Sequence, residues 1–278
     1  MSVFEFSLIV AAGSLVAGFL GALTGLGGGV VVVPMLTLLL GVDIRYAIGA
    51  SLVSVIATSS GAAAAYVREG ISNIRIGMFL EIATTLGAIA GATLATHISN
   101  GAVSIVFGVV LIGSAFLSWK RRPKNADDAS PDALATRLRL NGSFPEGSGI
   151  RKYNVRRVPL GWGLMFGAGT LSGLLGIGSG AMKVLAMDQA MKIPFKVSTT
   201  TSNFMIGVTA AASAGIYLSR GYIDPGLSMP VMLGVLAGSL LGTRILVKAD
   251  PKWLRRVFSL VIVVLGSEML YKGITGRM

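Results

Sequence analysis

Long apolar stretches alternate with short polar breaks along the whole chain, and residues 6–42, 46–67, 158–182 and 197–219 contain no charged residue. Each matches or exceeds the roughly 20 apolar residues that carry a helix across a bilayer. Apolar segments of helical length fall at 6–22, 30–40, 47–66, 76–96 and 101–118, and again at 158–175, 181–191, 197–217, 226–247 and 257–271. The pattern predicts an all-α polytopic membrane protein with about 8–10 transmembrane segments.

The ten segments divide into two sets of five. Sliding the chain by 151 residues superposes Gly18 on Gly169, Leu23 on Leu174, Gly25 on Gly176, Gly27 on Gly178 and Gly29 on Gly180 without a gap. Ser51 and Ser202, Thr58 and Thr209, Tyr66 and Tyr217, and Gly87 and Gly238 coincide in the same register. One register that reproduces a glycine loop, an aromatic helix end and a glycine pair reads as an internal duplication, each half carrying a glycine-rich helix break. The expected organisation is a first membrane repeat at 1–118, a basic loop at 119–157 and a second membrane repeat at 158–278.

Charge decides the orientation of the halves. Residues 119–157 hold ten Lys or Arg and four Asp or Glu, the usual mark of a cytoplasmic loop beside membrane spans rather than of nucleic-acid binding. With that loop inside and five crossing segments per half, Arg68, Arg75, Lys192, Lys196, Lys248, Lys252, Arg255 and Arg256 also fall inside. Four crossings per half would expel most of them, so inverted repeats with both termini outside are expected. Segments 30–40 and 181–191 span only about 17 Å at 1.5 Å per residue, short of a bilayer. Within the loop, Thr136–Leu140 and Ile150–Val155 alternate weakly between polar and apolar, consistent with a β-hairpin or with a solvated tether.

Composition narrows the chemistry. Only 13% of residues are charged, against about a quarter in soluble domains, and the mean hydropathy is +0.75. The absence of cysteine excludes disulfide scaffolds, thiol relays and iron–sulfur ligation, and a single His97 leaves little for haem or zinc. No cofactor or metal is expected. The N-terminus has no basic region and no small-residue cleavage site, so it is expected to be retained as the first span.

The segment richest in chemistry is Gly21-Ala-Leu-Thr-Gly25-Leu-Gly27-Gly28-Gly29, followed by Val30–Val33 and Pro34, with its echo Gly173-Leu-Leu-Gly176-Ile-Gly178-Ser179-Gly180. Glycines interrupt a helix here, and backbone groups freed at membrane depth must be buried in protein or face water or a ligand. Where the next helix begins, N–H groups and the positive end of its dipole suit a small oxyanion. A nucleotide-binding loop is a poor alternative, since neither the preceding strand nor a Lys-Ser/Thr is present. Gly87/Gly91 and Gly238/Gly242, spaced i and i+4, fit close helix packing.

Gly-x-x-Gly-x-Gly-Gly-Gly before an apolar run and Pro34, then Ala47-Ile-Gly-Ala-Ser51-Leu, with a degenerate second copy after a hydrophilic loop, resembles the sulfite exporter TauE/SafE family of membrane permeases. The resemblance covers nearly the whole chain. It implies secondary transport of small sulfur-containing oxyanions, sulfite or organosulfonates, usually outward through the plasma membrane. Carried over, it marks Gly25, Gly27, Gly28, Gly29, Pro34 and Ser51 in the first copy and Gly176, Gly178, Gly180 and Ser202 in the second. The second copy departs at Ser179, Leu185, Lys183 and Asp188.

Lys183, three residues after Gly180, is costly in a span unless paired or serving a ligand; it is either a substrate contact, a partner of Asp188 or a side chain snorkelling to the interface. Thr201, Ser202 and Asn203 offer hydroxyls and an amide that can replace water around an oxyanion, or can serve as caps and interhelical bonds. Substrate-binding candidates are therefore Gly25, Gly27, Gly28, Gly29, Ser51, Gly176, Gly178, Ser179, Gly180, Lys183, Thr201, Ser202 and Asn203. A proton-coupled carrier needs a group whose charge changes during the cycle. Glu81, His97 and Asp188 are the candidates, although Glu81, six residues past Arg75, is expected near the headgroups. Trp119, Tyr153, Trp162, Tyr217, Tyr222, Trp253 and Tyr271 are read as interfacial anchors. The expected partners are a small anion and the bilayer. A passive anion channel and a membrane assembly factor are the alternatives, while an intramembrane enzyme lacks a nucleophile or metal constellation.

Overall fold

In the computed structural model, which describes residues 2–24, 28–68, 72–119, 132–146, 149–246 and 251–276, the apolar segments are helices at the places the pattern sets. The first half forms α1 (Val3–Thr24), α2 (Gly29–Pro34), α3 (Ile44–Arg68), α4 (Ile74–Ala95) and α5 (Asn100–Trp119). The intervening stretch forms α6 (Ala133–Arg137), β1 (Gly142–Glu146) and β2 (Gly149–Tyr153). The second half forms α7 (Val158–Leu175), α8 (Gly180–Leu185), α9 (Phe195–Ser219), α10 (Pro225–Leu246) and α11 (Pro251–Thr275). α2 runs straight into a π turn at Met35–Leu39, and α8 into one at Ala186–Ala190. The second turn follows Leu185 where the first follows Pro34, so proline is not what widens the helix. α8, its π turn, α9 and α10 begin and end 151 positions after α2, its π turn, α3 and α4.

Glycines fix the helix directions because they let backbones touch. Gly87 and Gly91 of α4 lie against Phe166 and Thr170 of α7, while Gly169 and Gly173 lie against Thr84 and Ala88, so α4 and α7 are parallel. Gly234 and Gly238 of α10 meet Ala11 and Leu15 of α1 in the same parallel sense. α3 and α9 are antiparallel, with Gly49 against Tyr222 and Gly207 against Ser59. So are α5 and α11, with Gly101 against Gly273 and Gly108 against Gly266. α4 runs with α9, Gly77 lying beside Thr201 and Phe204 and Glu81 bonding Thr209. The result is that α1, α3 and α10 point one way and α4, α7 and α9 the other. Each helix of the second set therefore opposes its counterpart in the first.

Since α1 and α3 share a direction, the segment 29–39 must bring the chain back between them. It does so from inside the bundle, because Gly28 sits beside Gly18 rather than beyond the end of α1. The return needs only about 17 Å of helix, which explains the shortness of the segment. α3 and α9 carry the Ser and Thr residues and pack at the centre, whereas the large exposed apolar side chains lie mainly on the surrounding helices. Phe4, Leu8, Met78, Leu86, Val109, Phe116, Leu164, Leu233, Leu240 and Val264 are examples, and they form the lipid-facing surface of a multi-pass membrane protein. Among the described residues, four helices contain windows long and apolar enough to cross by themselves: Phe4–Gly21, Ile74–Ala95, Val158–Leu175 and Pro225–Gly242.

The described part of the stretch between the halves is folded. β1 and β2 pair antiparallel, Gly142 opposite Tyr153 and Glu146 opposite Gly149. The second expected strand is present, but Thr136–Leu140 is not a strand. Asp132 caps α6 there by accepting from Leu134 N at 3.2 Å, and the partner strand starts two residues later. Phe144, Tyr153, Leu140 and Val155 bury themselves with Ile76 and Leu80 of α4, Val158 of α7, and Met187, Met191 and Ile193 after α8. The Asn73 side chain caps α4 by accepting from Ile76 N, and its Nδ2 donates to Tyr153 Oη at 2.8 Å. Tyr153 is therefore a core residue of this small unit and not an interfacial anchor. Tyr217 is fully buried too, donating to Leu174 O, because α9 is a central helix. Tyr271 is exposed and Tyr222 and Trp162 are half-buried, whereas the side chains of Trp119 and Trp253 lie outside the described residues.

Candidate functional site

The two glycine loops meet between α3 and α9. Ser51 Oγ, on α3, donates to Gly176 O of the opposite half at 2.8 Å. A methyl group placed on Gly29 would lie 2.5 Å from Ser51 Oγ and 3.0 Å from Gly176 O, so the start of α2 is pressed against the second loop. Gly176 abuts Ile48, and Gly178 abuts Ile206 and Val55. Ser202, the counterpart of Ser51, stays within its own half and donates to Gly180 O at 3.2 Å. Residues 174–180 are buried throughout. Gly25 and Gly27 lie outside the described residues.

The second loop needs left-handed backbone. Gly176 and Gly178 have φ of +67° and +69°, and Ser179 follows at +44°. Glycine adopts this region freely, whereas serine is held there at a cost of the order of 1–2 kcal/mol. The Ser179 hydroxyl is also buried with no hydrogen-bond partner among the described residues, so left-handed backbone and an unsatisfied donor coincide at one residue. Gly28, at the equivalent place, has ordinary helical backbone at φ −64°, so the two loops are not copies in conformation.

One helical turn past Gly180, Lys183 is fully buried. Its ammonium donates to Thr209 Oγ1 at 2.5 Å, and the Thr209 hydroxyl donates to Glu81 Oε1 at 2.7 Å. Thr85 Oγ1 donates to the same carboxylate oxygen at 3.2 Å, while Glu81 Oε2 has no hydrogen-bond partner among the described residues. Lys183 thus neither snorkels nor reaches water; its bond runs through a hydroxyl to α4. Glu81 is only 6% exposed. The reason is that α4 begins under the hairpin unit, at the Asn73 cap, and seven residues of helix carry Glu81 about 10 Å into the bundle.

The other expected site residues separate. Thr201 Oγ1 accepts from Asn73 N at 3.0 Å, tying α9 to the α3–α4 connection away from the glycine loops. Asn203 is half-buried and lies four residues before Gly207, on the side of α9 that meets Ser59 of α3. His97 is exposed beyond the end of α4, its Nδ1 2.8 Å from Thr93 O. Asp188 is buried in the second π turn. Thr209, which reasoning from sequence treated only as a repeat match, joins the two buried charges. Its spacing of seven residues from Ser202, one face of one helix, was the available signal.

Comparison with known proteins assigns the arrangement to a lineage. The model for the family described as sulfite exporter TauE/SafE matches residues 10–269. The chain belongs to that family. Among its TauE/SafE-like relatives is the probable membrane transporter protein YunE of Bacillus subtilis, 29% identical over 280 residues, 97% of this chain and 99% of that one. The probable membrane transporter protein YdhB of the same organism is 28% identical over 231 residues, 83% of this chain and 84% of its own. An archaeal relative, the probable membrane transporter protein MJ0441 of Methanocaldococcus jannaschii, is 27% identical, covering 95% of this chain and 94% of its own. No solved structure matches the chain.

Proposed function

We propose that this protein is a secondary transporter that moves small sulfur-containing oxyanions, sulfite or an organosulfonate, outward across the plasma membrane by alternating access. The observation that carries the reading is the meeting of two helix breaks, one from each oppositely directed half, around the Ser51–Gly176 contact. Half-helices that face one another at depth form the usual midplane site of a carrier built from inverted repeats. Gly28, Gly29, Ser51, Gly176, Gly178, Ser179, Gly180 and Ser202 would surround the anion, with Gly25 and Gly27 of the first loop. Lys183 supplies the positive charge and Thr201 holds α9 in place. The protein acts on the anion through dipoles, hydroxyls and one ammonium, performing no covalent chemistry.

In this reading the 119–157 stretch is cytoplasmic and both termini are outside, as the distribution of basic residues favours. The hairpin unit then closes the inner end, where Asn73 Nδ2 meets Tyr153 Oη and Arg75 Nη1 donates to Arg139 O at 3.1 Å. The outer end is tied by Arg45, whose guanidinium donates to Ile98 O at 2.8 Å and to Tyr222 Oη at 3.3 Å. Opening alternately at these two ends would expose the central loops to one side at a time.

The test is flux into proteoliposomes loaded against sulfite, thiosulfate, a sulfonate and a carboxylate. Saturable flux of sulfite or the sulfonate, abolished in Lys183→Ala, is expected. Flux far above carrier rates that does not saturate would replace the carrier with a channel. Folded protein that moves none of the panel would remove the transport reading and direct attention to membrane partners.

A further inference from the structure

The chain Lys183–Thr209–Glu81 exists on one side of the pseudo-symmetric bundle only. At the 151-residue offset, Lys183 corresponds to Val32, Glu81 to Met232 and Thr84 to Val235. Thr58, opposite Thr209, lies 3.0 Å from Ser54 O as Thr209 lies 2.9 Å from Met205 O, so what the first half lacks is the charged pair and not the threonine. The equivalent place is therefore filled by apolar side chains, so packing does not demand charge there. A buried ion pair is rarely worth more to stability than apolar residues of the same volume, and ionisable groups in spans usually serve function.

The pair is also built loosely. Thr209 stands between the two charges and donates one bond to Glu81, whose second oxygen, Oε2, is buried and unpartnered. An ammonium has three donors, of which the contact with Thr209 uses one. Lys183 lies a single turn past Gly180, on the helix that follows the second glycine loop, and its ammonium is held one hydroxyl away from Glu81. The surroundings offer no competing counter-charge on α7, whose residues 158–175 carry none. α9 contributes Lys196 on its first turn, α4 contributes Arg75 on its first turn, and the π turn after α8 contributes Asp188.

We infer that Lys183 exchanges its counter-charge between Glu81 and the transported anion, and that Glu81, when released, takes up a proton, so that one proton accompanies each anion. This rests on the transport reading given above. Written as a balance, an ammonium paired with a carboxylate, plus an anion and a proton from the open side, becomes an ammonium paired with the anion beside a neutral carboxylic acid. Charge is conserved and the buried site carries no net charge before or after, for a monovalent anion. Any other sequence would leave an uncompensated charge at depth, which is strongly disfavoured. Release of the anion returns Lys183 to Glu81 and expels the proton on the same side.

Ethanesulfonate is the probe, because it stays ionised over the whole working range and cannot carry the proton itself. In proteoliposomes with a trapped pH indicator, ethanesulfonate flux is expected to move protons at one per anion and to be insensitive to an imposed potassium diffusion potential. Glu81→Gln keeps ethanesulfonate counterflow measurable but loses the proton flux and at least tenfold of the accumulation driven by a pH gradient. Lys183→Met abolishes both. The double variant Lys183→Val with Glu81→Met copies the opposite half; it is expected to fold and to transport nothing. Saturable wild-type flux without protons, proton flux surviving in Glu81→Gln, or proton flux lost in His97→Gln instead would each overturn the exchange while leaving the carrier intact. Absence of flux for every anion in folded wild-type protein would remove the carrier and the exchange together. Proton uptake by detergent-solubilised protein on adding ethanesulfonate, present in wild type and absent in Glu81→Gln, reads the same step without a membrane.

Discussion

Replacing Ser51 by alanine removes one hydroxyl, yet that hydroxyl is the hydrogen bond by which the first half holds the second half's glycine loop. Ser51 is fully buried, and its 2.8 Å bond goes to Gly176 O. Gly176 has left-handed backbone, and among the described residues no backbone N–H is donated to its carbonyl outside regular helices and strands. Without Ser51 the carbonyl is orphaned in a site closed to water, which costs about 1–3 kcal/mol. At about 2–4 °C per kcal/mol for a chain of this size, the apparent unfolding midpoint in detergent should fall by about 2–12 °C. Ser202→Ala is the internal control. Its partner, Gly180 O, belongs to the first turn of α8 and is spoken for within that helix, so the loss should stay below about 1 kcal/mol. Thermal unfolding followed by tryptophan fluorescence distinguishes the two. A wild-type midpoint for Ser51→Ala, or a larger loss for Ser202→Ala, would refute the assignment of this contact as the seam between the halves.

The backbone approach of α4 and α7 predicts that Gly91→Ala, whose methyl would run into the Thr170 carbonyl, costs about 1–3 kcal/mol, and that Gly173→Ala costs a similar amount against Ala88 O. Their double variant should cost less than the sum in thermal unfolding, since the first already separates the helices. Ser179→Gly should act with the opposite sign, raising the unfolding midpoint by relieving φ +44° for a gain of about 1 kcal/mol, while weakening anion flux in proteoliposomes if the strained loop serves binding. Burial pushes the Tyr153 phenol above its ordinary 10.0, against the opposing hydrogen bond from Asn73. The folded state therefore keeps a proton that the unfolded state gives up, so stability is full below about 10 and declines as pH rises toward the folded value. Tyr153→Phe should lower the midpoint at neutral pH by about 1 kcal/mol and flatten this alkaline decline, as unfolding curves at a series of pH values would reveal.

Much of this architecture is written locally and so can be read from sequence. Hydrophobic runs set the helices, because a spanning helix satisfies its own backbone and needs only apolar side chains outside. The glycine loops stand out because no helix interior tolerates so many glycines, and the short segments after them follow from their length alone. The 151-residue register anticipates α8, α9 and α10 to the residue. The burial of Glu81 is not legible from its distance to Arg75, because it depends on where α4 begins. That start is fixed by Asn73, which caps the helix and at the same time binds Tyr153, 80 residues away. The strand expected at Thr136–Leu140 failed for a similar reason, since the capping contact of Asp132 outcompetes weak alternation.

What the sequence by itself determined is the class of molecule: a membrane-spanning helical protein with two glycine-rich breaks and a positively charged stretch between its apolar segments. These properties depend on composition, period and charge, which are local or additive. What only the tertiary structure decided is which polar groups face one another. Lys183, Thr209 and Glu81 come from three helices, and nothing in their spacing along the chain links them. Their meeting depends on the antiparallel crossing of α3 and α9 and the parallel run of α4 beside α9, and those directions follow from glycine contacts that form only when both halves are folded together.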